Sequence, residues 1–124
     1  MSGSGVLDLH EVTGWVLIVV NAVAGAWALA AHRFEVLRGR PLWTVVLAGQ
    51  LMAFVQAIIG VVLVSRYDYE LSDMHALYGF SAIIAVGILY SYRTSSFMEG
   101  KQHLLYGVGC LFIMGLGLRE LVLA

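Results

Sequence analysis

The stretch Leu42–Val64, LWTVVLAGQLMAFVQAIIGVVLV, decides the fold. It runs for 23 residues without an Asp, Glu, Lys or Arg. About 20 mostly apolar residues suffice for a helix to cross the roughly 30 Å hydrocarbon core of a bilayer. Working outward, three more runs of this kind are predicted to span. Val12–Ala31 is ended by His32 and Arg33, and Met74–Tyr92 by Arg93. Residues 103–120 form the shortest run, with the least defined end. A β-barrel would need alternating segments of about ten residues, which the chain does not offer. Composition agrees: 60% of the 124 residues are hydrophobic and 12% charged, where soluble domains average about 45–50% and about 25%. The expected fold class is all-α, a single integral membrane domain over residues 1–124 built as an up-down four-helix bundle.

Short connections make sequential helices antiparallel neighbours. The first and third connections hold Arg33, Arg38, Arg40, Arg93 and Lys101. The opposite side has Arg66 and Arg119, with Asp8, Glu11, Asp68, Glu70, Asp73 and Glu120. Positive charge collects on the cytoplasmic side of membrane proteins, so both termini are expected outside a bacterial plasma membrane. Trp15, Trp43, Tyr67, Tyr69, Tyr90 and Tyr92 fall near the predicted interfaces, as an aromatic belt does. Met1–Leu9 lack the basic residues of a signal peptide, so the first span is expected to be retained. With a net charge of −1 and no long basic run, no nucleic-acid partner is expected. Cys110 sits within an apolar run and reads as a small buried hydrophobe.

The halves resemble each other. HEVTGW (His10–Trp15) opens the first and HALYGF (His75–Phe80) the second. Arg33 and Arg93 close the leading helices, and Gly39-Arg40 and Gly100-Lys101 precede the following ones. The pattern reads as a duplicated helical hairpin, whose copies would be related by an axis along the membrane normal. The alternative is that helices of similar composition look alike.

In such a bundle the first and third helices are parallel and diagonal, so His10 and His75 can face each other at one depth. Two opposed imidazoles are what a bis-histidine haem requires. Gly14 and Gly79, one turn on, share the face of each histidine and leave a surface on which a porphyrin could lie. His10 and His75 are thus the candidate metal ligands, and one haem b the candidate cofactor. The competing reading is close helix packing at small residues, with histidines at an interface. A quinone or metal is a further alternative. Asn21 and Gln56 either hydrogen-bond across the bundle or line a cofactor or quinone pocket, while Gln50 lies on another part of its helix. No charged residue is expected at mid-depth, which argues against pumps, channels and charge-coupled transporters. His32 and His103 are expected at the inner face as interfacial residues. The outer loop, with three acids, reads as a solvated loop, the alternative being a face for a basic soluble partner such as a periplasmic redox protein. No nucleophile–base pair, phosphate loop or Cys-based metal motif is evident, so side-chain catalysis is not expected.

FVQAIIGVVLV (Phe54–Val64), a short loop and then MHALYGF (Met74–Phe80) resemble the haem A synthase family, in which a span ending Gln-x-x-x-Gly precedes a span with a haem-ligand histidine. The paired histidines also look like the four-helix core of b-type cytochromes. The resemblance covers about half of the chain and implies His10 and His75 as axial ligands. The chain departs from the family in having one half's complement of helices, no convincing acidic residue within a span, and no second diagonal histidine pair. It also has the look of small bacterial membrane proteins of an actinobacterial type. Two functional expectations follow: haem binding for electron transfer or haem handling, in contact with membrane lipids, or a non-catalytic accessory subunit of a larger respiratory membrane complex.

Overall fold

The computed structural model describes residues 3–70, 72–92, 95 and 100–123, with side chains described for 4–70, 72–92, 95 and 100–120. Arg93, expected to close the third span, lies outside the described residues. The described chain is all-helical and without strands: α1 Gly3–Arg33, α2 Arg40–Arg66, α3 Asp73–Tyr92 and α4 Gln102–Leu123, with a 3₁₀ turn at Glu35–Leu37. Helix α1 starts two turns before the predicted span, because Asp8, His10 and Glu11 break the apolar run without breaking the helix. By length and composition α1, α2 and α3 could each cross a membrane.

The turns before α2 and α4 share a device. Gly39 adopts φ +147° and Gly100 φ +76°, conformations that side chains resist. Pro41 then sits in the first turn of α2, where its missing N–H is not needed.

Helix α1 packs against α2 and α4, and α3 packs mainly against α4 and less against α2. The first and third helices therefore lie across from each other. The core runs along α1 at Ala24, Ala28 and Ala31, and meets Leu42, Cys110 and Ile113, all fully buried. Small residues let the axes approach: a Cβ on Gly107 would stand 2.9 Å from the backbone nitrogen of Leu29. At mid-length, Asn21 is fully buried and donates from Nδ2 to the Leu17 carbonyl (2.9 Å) and across to the Gly49 carbonyl (3.2 Å). Gln50 is also buried.

Candidate ligand-binding site

At the end of the bundle opposite the Arg33–Arg40 turn, all four helices contribute polar groups. His10 on α1 and His75 on α3 have ring centroids 6.1 Å apart and planes tilted by 53°. Half-buried His10 is held by its backbone: Gln56 Nε2 on α2 donates to the His10 carbonyl at 3.0 Å. The Thr13 hydroxyl donates to Gln56 Oε1 and also approaches the Leu9 and His10 carbonyls. His75 lies in the first turn of α3, its N–H donating to the Ser72 hydroxyl at 3.1 Å.

The space over each glycine is taken by a specific neighbour. A Cβ on Gly14 would come within 2.9 Å of Gln56 Nε2, and one on Gly79 within 3.2 Å of Glu120 Oε1. A Cβ on Gly60, one turn beyond Gln56, would lie 3.6 Å from His10 Cε1. His10 Nδ1 and Glu120 Oε1 are both buried and have no hydrogen-bond partner among the described residues, as is also true of Asn21 Oδ1, His32 Nδ1, Gln50 Nε2 and His103 Nε2 elsewhere in the bundle. Buried polar atoms are rarely left so, and each unmade bond costs about 1–3 kcal/mol.

Of the candidate residues, His10, Gly14, Gln56, His75 and Gly79 come together. Asn21 does not: it lies eleven residues, about 16 Å, along α1 from His10 and serves as a tie between α1 and α2. Gly60, the glycine of the Gln-x-x-x-Gly motif, joins the site, as do Thr13 and Glu120, which the sequence reading did not single out. Glu120 had a legible signal. Tyr106, Cys110 and Ile113 are buried at helical spacing on α4, and Glu120 falls on that same face seven residues after Ile113.

At the other end, His103 packs on Trp43 with centroids 5.0 Å apart, and Trp43 meets Tyr106 edge-on at 5.4 Å. Arg38 donates to the Ala31 and His32 carbonyls at 2.7 and 2.9 Å, clamping the turn. His32 and His103 thus sit in the aromatic and turn-closing structure of that end. No group of three or more His, Cys, Asp or Glu among the described residues is placed to hold a metal ion.

No family model, curated protein or solved structure matches the chain.

Proposed function

We propose that the chain is a multi-pass protein of the bacterial plasma membrane, both termini outside, that holds one haem b between His10 and His75. Its role on this reading is electron transfer or haem handling at the outer face. The 6.1 Å separation of the two rings carries the reading. Metal–imidazole bonds of about 2.0–2.1 Å put two opposed rings about 6 Å apart across one ion. A bare ion in a closed protein site takes about four protein ligands, whereas iron already held by a porphyrin needs only two axial ones. Two imidazoles from diagonal helices match the second demand.

The fit extends to the surroundings. His10 Nδ1 is an orphaned buried nitrogen, and Gly14 and Gly79 leave cradles that a Cβ would fill. Gln56 and Glu120 now occupy those cradles, so both side chains must swing aside for a ring to lie there. The lightly packed seam between α2 and α3 gives such a ring an edge to enter by. Bound haem would supply one-electron chemistry at iron. The chain's own part is to hold the two imidazoles facing each other. The positive φ shared by Gly39 and Gly100 supports descent of the two hairpins from one.

Protein purified from haem-replete cells is expected to show a Soret band, lost in His10→Ala and in His75→Ala. A colourless wild-type preparation overturns the reading.

A second reading, an accessory subunit of a larger membrane complex, is favoured by α3. Only 11% of its apolar window is buried within the bundle. Gly87 on α3 and Gly115 on α4 have open space where a Cβ would stand, and small residues on open faces are how membrane helices receive partner helices. It predicts recovery with larger subunits from mild detergent. A stable monomer surrounded by lipid counts against it.

A further inference from the structure

The histidine site contains an acid to which the haem reading gives no task. Glu120 turns its carboxyl into the bundle, where Oε1 is buried and has no hydrogen-bond partner among the described residues. That oxygen lies over Gly79, 3.2 Å from where a Cβ would stand. His75 is one turn before Gly79 on the same face of α3, and Cβ positions so related are about 6 Å apart. Added end to end, the two steps place the Glu120 oxygen within about 9 Å of the His75 Cβ. His10 follows, its ring centroid 6.1 Å from that of His75. The other acids of this end, Asp8, Glu11, Asp68, Glu70 and Asp73, are all exposed. Water and salt screen exposed charges, and a charge turned inward is screened much less. An inward carboxylate without a partner is also costly, so its place calls for a positive charge nearby.

We propose that Glu120 is the counter-charge of this site, an inward carboxylate that favours the ferric state of a haem held by His10 and His75 and so lowers its midpoint potential. The proposal rests on the haem reading. Iron in a porphyrin dianion keeps a net positive charge when ferric and none when ferrous, the imidazoles being neutral. A fixed negative charge beside it therefore stabilises one oxidation state and not the other. When Glu120 swings off Gly79 it is still carried by the inward face of α4, so it yields the glycine surface without leaving the neighbourhood of His75. A unit charge about 10 Å away, at an effective dielectric of about 20, biases the two states on the order of tenfold. For a one-electron couple tenfold is about 59 mV.

The test is a potentiometric titration of the haem bands in the full chain, in neutral detergent at one pH. Glu120→Gln keeps the side chain's shape and removes its charge. It is expected to retain the Soret band and to raise the midpoint potential by about 59 mV, the tenfold bias. Glu120→Asp keeps the charge and should stay close to the wild type. Glu11→Gln removes an exposed charge next to His10 and should shift the potential much less than Glu120→Gln does. Loss of the band in Glu120→Gln but not in Glu120→Asp also supports the proposal, since only the charge separates the two. Equal potentials in the wild type and Glu120→Gln overturn it. So does a Glu120→Asp variant that shifts as far as Glu120→Gln, or that loses the band along with it, because packing is then what matters. An equal shift in Glu11→Gln overturns it as well. A wild type with no Soret band ends the haem reading and this proposal together, whereas the other adverse results end this proposal alone.

Discussion

Between α1 and α2, polar side chains reach across to backbone at two depths: Asn21 to the Gly49 carbonyl and Gln56 to the His10 carbonyl. Arg38 then closes the turn on the Ala31 and His32 carbonyls. Between α3 and α4 the contact is of another kind. Leu89 lies over Gly109, and the Tyr106 hydroxyl reaches the Leu89 carbonyl at a long 3.4 Å. Apolar surface gives helices no reason to associate in hydrocarbon, so register there depends on close packing and hydrogen bonds. Among the described contacts, the first hairpin is directionally locked and the second is held mainly by shape. The candidate site draws one histidine from each. His10 stands on the locked hairpin, and His75 on the one held by shape.

The hairpins meet along α1 and α4, and the largest change is expected there. Gly107→Val would set side-chain carbon against Leu29, including its backbone nitrogen, which cannot step aside. Overpacking of this kind costs about 1–3 kcal/mol. Unfolding in mixed micelles should show at least that loss. A stability equal to that of the wild type would mean that α1 and α4 are not in close contact.

Next comes the lock itself. Asn21→Ala removes the fully buried tie to Gly49 and is expected to cost about 0.6–2 kcal/mol in the same assay. The corresponding loss for Gln56→Ala is about 0.6 kcal/mol, since its bond lies at the wetter end of the bundle. On the haem reading Gln56→Ala also keeps the Soret band, because Gln56 swings aside for the ring and does not ligate. Loss of the band in Gln56→Ala with the histidines intact would make the amide part of the binding group.

The difference between the hairpins also explains what was legible beforehand. Three apolar runs located α1, α2 and α3, because the requirement for length and apolarity is severe. The face-to-face placement of His10 and His75 followed from short connections, which force antiparallel neighbours and put helices one and three on a diagonal. For Glu120 charge outweighed spacing: counted as an outer-side acid, it was given to the interface, whereas the rotation of α4 turns it toward Gly79. Asn21 and Gln56 share a polar character in sequence but part in the structure. Which stripe residues meet depends on helix register, and the pairing of Gly49 with Asn21 is a matter of ångströms that periodicity does not encode. The run at 103–120 located α4, Gln102–Leu123, and only its end was left open.

The smallest effect is expected on the shape-held hairpin, at Gly87, where added carbon meets open space. Gly87→Ala should move the stability of the isolated protein by less than about 0.5 kcal/mol. Gly87→Leu should likewise leave the isolated bundle folded, since the side chain points away from the other helices. That neutrality makes the position a clean probe of what covers α3. If a partner helix packs on this face, Gly87→Leu blocks its close approach, and co-purification with larger subunits is lost although the bundle itself is as stable as before. If lipid covers it, recovery is unchanged, and the open glycine merely marks a face that the bundle does not use. The locked hairpin has no equivalent test, because at Gly14 and Gly49 the same substitution would disturb Gln56 or Asn21 and change the fold's own ties before any partner could report on them.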